Sequence, residues 1–222
     1  MTPKLILFDV DGTLVDSQNH ILAAMTHAFE RHGMTAPSRE DTLSIVGLSL
    51  PQAIARLAPE LGDRQNAELV EAYKQSFVEN RHNGRDHSPL YPGVRDVLEQ
   101  LKGVPEFVLG VATGKSRKGL DIVLRTHDLT GFFMTEQVSD HHPSKPHPAM
   151  VQAALSETGI DAGHAVMIGD TSFDMEMGRA AGAQIIGVSW GYHPVETLKK
   201  ASPARIIDDI RHLPDHLSGL WS

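Results

Sequence analysis

Asp9 and Asp11 bracket a single valine, are followed at once by Gly12, and stand at the end of the apolar run Leu5-Ile6-Leu7-Phe8. In extended chain, residues two apart project to the same side, so both carboxylates leave the strand together, and Gly12 lets the backbone turn immediately afterwards. Paired carboxylates can attack an electrophile, move a proton or hold a cation. The carboxyl end of a strand is also where open α/β sheets place their ligand crevices. The arrangement recurs where Ala165-Val166-Met167-Ile168 runs into Gly169-Asp170, with Asp174 in the first turn of the helix that should follow. Each cluster has a plainer local reading: Asp-x-Asp-Gly is ordinary turn chemistry, and Asp170 suits a helix N-cap. Gathered in one crevice, however, four carboxylates repel unless protonated or neutralised by a hard cation, and an oxygen-only donor set suits Mg²⁺.

Two further segments could supply the positive side of such a site. Thr113-Gly114-Lys115-Ser116 follows the apolar run Val108 to Ala112. There a hydroxyl, free backbone N–H groups and the positive end of a helix dipole suit an anion, although Thr113 as a simple helix cap fits as well. Lys115, Arg117 and Lys118 read most simply as solvated helix charges. Lys145 lies between Pro143 and Pro146, with Pro148 close behind, so its backbone is stiffened and held out of helix. It is either a fixed cation or a surface lysine in a proline-rich loop. His141, His142 and His147 nearby lack helical ligand spacing, so they are not read as a metal site.

The elements that must position these groups follow from periodicity. A strand at Leu5 to Phe8, apolar throughout, reads as buried on both faces. Asp16-Ser17 offers an N-cap, and from there to about Leu90 the chain reads as helices only. Ile21, Leu22, Ala24, Met25, Ala28 and Phe29 recur at helical spacing up to Gly33. Ser38 and Asp41 resemble a capping arrangement, Pro51 suits a first turn, and Asp63 can open a helix with the stripe Ala67, Val70, Tyr73 and Phe77. Past Pro92-Gly93 the chain alternates. Helices are expected near 94–101, 116–127, 148–158 and 173–181, and strands at 107–112, 165–168, 184–188 and 205–207, with a short apolar piece at 132–134. The expected fold is therefore α/β, a doubly wound parallel sheet with a Rossmann-like core and an inserted all-helical cap. Residues 1–16 and 91–222 would form the core and 17–90 the cap.

Composition bounds the rest. The chain has 41% hydrophobic and 22% charged residues, no cysteine and a formal charge of -8. Without cysteine there is no disulfide scaffold, thiolate metal site or cysteine nucleophile, and a reducing compartment, the cytoplasm by default, is the expectation. The amino-terminal apolar stretch is too short for a signal peptide and no run approaches membrane-spanning length. The acidic balance argues against nucleic acid or an anionic membrane as partner, and a protein of this balance that handles a phosphate needs a local cation to reverse the sign; the expected partner is a small phosphorylated metabolite and the expected state a monomer or homodimer.

The stretch Phe8-Asp9-Val10-Asp11-Gly12-Thr13-Leu14 resembles the signature of the haloacid dehalogenase superfamily of phosphohydrolases. The segments at Thr113, Lys145 and Gly169-Asp170 to Asp174 resemble its other three motifs in order. The resemblance implies that Asp9 is the nucleophile that takes a phosphoryl group, and that Asp11 protonates the leaving oxygen and then activates water. It implies phosphate binding by Asp11, Gly12, Thr113, Gly114 and Lys145, and Mg²⁺ binding by Asp9, Asp170, Asp174 and the backbone carbonyl of Asp11. A carboxylate at Asp11 sets the chain apart from true dehalogenases, and Gly169-Asp170 stands where β-phosphoglucomutase-like mutases usually carry Glu-Asp. The helical insertion resembles the cap of the superfamily's first subclass. Val46-Gly47-Leu48-Ser49-Leu50-Pro51 and Thr113 to Arg117 look similar to phosphoglycolate phosphatase-like members. Phosphoglycolate is then the leading substrate, followed by inorganic pyrophosphate and sugar phosphates, with mutase chemistry as the enzyme alternative. Arg56, Arg81 and Arg85 are candidates for a substrate carboxylate or second phosphate. A non-enzymatic phospho-aspartate receiver module also gathers acids, Thr and Lys, but it has no helical insertion and no second acidic group after the Lys.

Overall fold

Leu5, Ile6, Leu7 and Phe8 are fully buried, as a strand covered on both faces requires, and they lie at the centre of the sheet. The computed structural model describes residues 2–82 and 88–221. Strand β1 (Lys4–Phe8) leads into four consecutive helices, α1 (Gln18–Arg31), α2 (Arg39–Ser44), α3 (Leu50–Leu57) and α4 (Asp63–His82). Alternation then begins with α5 (Val94–Lys102), β2 (Phe107–Thr113), α6 (Arg117–Thr126), β3 (Thr135–Val138), α7 (Ala149–Thr158) and β4 (Ala165–Gly169). It ends with α8 (Ser172–Ala180), β5 (Gln184–Val188), α9 (Val195–Lys199), β6 (Arg205–Ile207) and α10 (Leu213–Ser218).

Every strand pairing is parallel, in the order β3-β2-β1-β4-β5-β6. This is the doubly wound arrangement expected from the alternation. Because β1 lies between β2 and β4, successive crossovers leave it toward opposite edges, and the switch point falls at the carboxyl ends of β1 and β4. Side chains of β1 alternate between two cores. Ile6 and Phe8 meet Leu98, Leu120 and Leu213 on one face, while Leu5 and Leu7 meet Met150, Met175 and Leu198 on the other.

Helices α1 to α4 bury a separate cluster in which Met25, Phe29, Ile54 and Leu69 meet. Their local sequence explains their starts: Ser38 caps α2 by accepting from the Asp41 N–H, and Pro51 stands in the first turn of α3. The chain enters and leaves this helical segment side by side. Val15 bridges Leu90 antiparallel, and the Asp16 N–H donates to the Pro89 carbonyl at 2.8 Å.

Three local expectations change. Ser17 stands at the N-cap of α1, yet its hydroxyl accepts no cap bond and is turned instead to the Asp11 carboxylate, to which it donates at 2.5 Å. Ala67 is exposed, since the buried stripe of α4 begins only at Leu69 and Val70. The third strand lies just past the apolar piece Phe132-Phe133-Met134, at the polar stretch Thr135–Val138, which an edge position tolerates.

Candidate active site

Asp9 leaves the end of β1, Asp170 the end of β4, and Asp174 belongs to the first turn of α8. One carboxylate oxygen from each lies within 4.8 Å of the others. Lys145 reaches the same point from the loop before α7. Its Nζ is 2.9 Å from Asp9 Oδ1 and 2.5 Å from Asp174 Oδ1. The exposures of Asp9, Lys145, Asp170 and Asp174 are 1%, 0%, 0% and 0%, so the surface-lysine reading of Lys145 does not hold.

Each acid is held differently. Asp170 accepts from the Thr13 hydroxyl at 2.9 Å and from the Tyr192 N–H at 2.8 Å. Asp174 Oδ2 accepts from the Thr171 N–H at 3.0 Å and the Thr171 hydroxyl at 2.7 Å, in a capping box. Thr171, rather than Asp170, is therefore the N-cap of α8. Asp9 Oδ2 has no hydrogen-bond partner among the described residues, and Asp9 Oδ1 has only the Lys145 ammonium, as an ion pair. The turn after β1 is close to Asp170 because Gly12 has φ +84 and no side chain. A Cβ there would lie 2.3 Å from Asp170 Oδ2.

Three buried carboxylates against one ammonium leave an excess of negative charge. Burial pushes Asp9 up to about 7; Lys145 opposes the rise and Asp174 adds to it. Burial, then Asp174 and Asp9, hold Asp170 well above the usual carboxylate range. For Lys145 burial favours losing the proton, but Asp174 and Asp9 outweigh it and raise the ammonium above its ordinary value. A buried carboxylate oxygen without a donor, amid uncompensated charge and oxygen-only groups, fits a hard divalent cation.

The Asp11 carboxylate stands apart from this trio. It accepts from Ser17 Oγ and pairs with Lys115 Nζ at 2.9 Å. The Ser17 proton is committed to that carboxylate, so the Tyr192 hydroxyl, 3.1 Å from Ser17 Oγ, donates to it, and it accepts from the Ser17 N–H. Thr113 is buried, and its hydroxyl accepts from the Lys115 N–H at 3.3 Å, while Ser116 caps α6. Asp9, Asp11, Thr113, Gly114 and Lys115 all line one cavity of about 570 Å³. Its opposite wall comes from the helical segment, with Ile21, Met25, Val70, Tyr73 and Phe77.

The two walls touch through backbone. A Cβ at Gly114 would lie 2.5 Å from the Gly47 carbonyl oxygen, so the two loops approach as closely as chains can. The Ser49 N–H donates to Ser144 Oγ at 2.7 Å. His193 joins the same parts: Nδ1 accepts from the Ser172 N–H at 3.1 Å, and Nε2 faces the Ser44 carbonyl at 3.1 Å.

The family described as Haloacid dehalogenase-like hydrolase matches residues 6–188, a span that holds all of the groups above except Tyr192 and His193. The chain belongs to the haloacid dehalogenase-like hydrolases. Among its relatives, a "Probable phosphatase IndB" of Dickeya dadantii is 35% identical over 209 residues, 92% of this chain and 89% of that one. A "Pyrophosphatase PpaX" of Bacillus pumilus is 33% identical over 205 residues, 91% of this chain and 90% of that one. A "Phosphoglycolate phosphatase" of Pseudomonas savastanoi pv. phaseolicola is 30% identical over 216 residues, 95% of this chain and 78% of that one. The crystal structure of a hydrolase from Pseudomonas syringae matches with TM-score 0.86 at 25% identity over 100% of both chains. This haloacid dehalogenase-like hydrolase is a phosphoric monoester hydrolase.

Within this hydrolase the site also uses residues that sequence reading passes over. Lys115 is not a solvated helix charge but the partner of Asp11, and Arg117 pairs with Asp121 and Glu136. Ser17, Thr171, Tyr192 and His193 act through contacts whose partners are often far away in the chain, Tyr192 and Ser17 being 175 residues apart. Ser17 carried the local signal of an N-cap and the pair Thr171 and Asp174 that of capping-box spacing, but neither signal pointed to the site. His142 Nε2 bonds Gln137, and His147 Nδ1 accepts from the Ala149 N–H. Arg56 lies over the Phe173 ring, 5.6 Å from its centroid, and does not line the cavity. Arg85 and the side chain of Arg81 lie outside the described residues.

Proposed function

We propose that this chain hydrolyses a small phosphomonoester in two displacements through an aspartyl-phosphate on Asp9, with Mg²⁺ as cofactor. The observation that carries the reading is Asp9 itself. It is a buried carboxylate at the switch point whose Oδ2 has no partner among the described residues, and it lines the cavity. Its oxygen attacks phosphorus while the bond to the leaving oxygen breaks, and Asp11, entering this step as the carboxylic acid, gives that oxygen its proton and becomes the carboxylate. Water then attacks phosphorus, Asp11 takes the water's proton, and the Asp9–phosphorus bond breaks to release phosphate. Lys115 and Ser17 orient Asp11, and Lys145 fixes Asp9 in place. Thr113 offers its hydroxyl, together with the backbone of Gly12 and Gly114, to the phosphoryl oxygens. Asp9, Asp170, Asp174 and the Asp11 carbonyl would hold Mg²⁺, which when bound cancels charge between the carboxylate and the phosphate dianion.

The helical segment 17–90 acts as a cap over a core of 1–16 and 91–222, excluding water during transfer. Its separate hydrophobic cluster and its paired entry and exit support this division. Relatives named for phosphoglycolate and pyrophosphate support those two as the first substrates to assay. Sugar-phosphate mutase chemistry is disfavoured by Gly169, where a Cβ would lie 2.4 Å from Asp174, leaving no room for glutamate. The absence of cysteine fits a cytoplasmic enzyme. Phosphate release from a metabolite panel with and without Mg²⁺ tests the reading, with Asp9→Asn expected to lose all turnover. Equal turnover by that variant ends the assignment of Asp9. Conversion of glucose 1-phosphate to glucose 6-phosphate without phosphate release moves the function to a mutase.

A further inference from the structure

The cavity is larger and more apolar than a two-carbon acid phosphate needs. Its volume of about 570 Å³ lies within the range of roughly 300–1,000 Å³ typical of pockets that enclose a whole small molecule. The phosphoryl group is accounted for by the core wall, where Asp9, Asp11, Thr113 and Gly114 converge. What remains is the space beneath the helices, lined by Ile21 and Met25 of α1, Ile45, and Val70, Tyr73 and Phe77 of α4. Tyr73 and Phe77 are half-buried with ring centroids 5.1 Å apart, and both present surface to the cavity.

A carboxylate or second phosphate seated against Ile21, Met25, Val70, Tyr73 and Phe77 would lose its water among side chains that carry no charge. Lys74 is the cation that the helical wall contributes among the described residues, and it is bonded to Glu71 at 2.7 Å. Lys115 and Lys118 line the core wall at the start of α6, and Lys115 is paired with Asp11. Methionine and aromatic surface suits instead an uncharged group that displaces water from it.

We infer that the preferred substrate is a phosphomonoester whose leaving alcohol is uncharged and apolar, aromatic or branched, and at least as bulky as a phenylalkyl group, seated against Ile21, Met25, Val70, Tyr73 and Phe77. This substrate class presupposes the phosphomonoesterase reading above, and it places phosphoglycolate among the poorer substrates.

The test compares 3-phenylpropyl phosphate, propyl phosphate and phosphoglycolate in the presence of Mg²⁺. The two alkyl phosphates have leaving alcohols of similar acidity, so chemical reactivity does not set their ratio. Burying the phenyl group should raise kcat/KM about 10- to 100-fold over propyl phosphate, and phosphoglycolate should fall below the phenylpropyl ester. Phe77→Lys should narrow the phenylpropyl-to-propyl ratio by about fivefold or more. A phenylpropyl ester no better than propyl phosphate, or phosphoglycolate as the best of the three, overturns the apolar class and leaves the phosphatase standing. No phosphate release from any ester overturns the phosphatase reading itself.

Discussion

Lys145 is the residue on which the buried charge depends, for it is the ammonium that faces the buried Asp9 and Asp174. Asp9 and Asp170 are raised above their ordinary range, so their ionisation opposes folding. The stability this leaves is fully present below the ordinary carboxylate range and is lost as pH rises through about 7 for Asp9. Lys145→Met removes the compensating charge and should destabilise the protein by about 3–5 kcal/mol at pH 8. At pH 6, where protons can replace the missing cation, the loss should be smaller. Mg²⁺ should restore part of the lost melting temperature at pH 8, because a divalent ion among the same oxygens does the electrostatic work of the ammonium. Thermal melts at the two pH values, with and without Mg²⁺, decide it. A variant as stable as the wild type in the absence of Mg²⁺ at pH 8 would show that the buried acids are neutral and need no partner.

Between elements, His193 ties the amino terminus of α8 to the end of α2. Accepting from the Ser172 N–H leaves its other nitrogen to donate to the Ser44 carbonyl, which only the neutral ring does at both positions. Burial lowers its pKa; the Ser44 carbonyl and Asp174 push the other way, Arg56 lowers it further, and Glu176 raises it. With the folded value depressed, the unfolded chain takes up the proton first, so the contribution of this contact is lost as pH falls below about 6.5. The wild type should therefore lose more melting temperature between pH 7.5 and 5 than His193→Gln does, and equal losses would remove the contact from the account. Such a contact was not legible beforehand, because a histidine after Trp190-Gly191-Tyr192 carries no periodic signal and its partners come from two other elements. The strands β1, β4 and β5 were legible because apolar runs of their length fit a covered parallel sheet. The edge strand β3, Thr-Glu-Gln-Val, was not, since one neighbour and partial exposure impose no apolar pattern. At the site the acids were visible as strand-end motifs, whereas Ser17, Lys115 and Tyr192, which orient Asp11, became visible only when the fold brought them together.

At the scale of the whole molecule, the hydrophobic clusters on the two faces of the sheet contain, among the described residues, none from 17 to 88, and the helical segment has a cluster of its own. Its two connections run antiparallel between Val15 and Leu90, with Asp16 and Pro89 sharing a hydrogen bond. Removing residues 17–88 and joining the ends by a short glycine link should thus leave the sheet and both of its cores intact, because neither the strand register nor the packing under β1 passes through the deleted part. The acid cluster should persist as well, since Asp9, Lys145, Asp170 and Asp174 all belong to what remains. The truncated chain should melt cooperatively and still gain stability from Mg²⁺. It should also lose at least about 100-fold in kcat/KM for a preferred ester, as the apolar wall and the exclusion of water go together. Turnover should fall toward a common low level for phenylpropyl and propyl phosphates, because the difference between them resides in the helices. A truncated chain that fails to fold would mean that the contacts across Gly47–Gly114 and Ser44–His193 are structural requirements of the core, not the seam between a catalytic body and a cover for it.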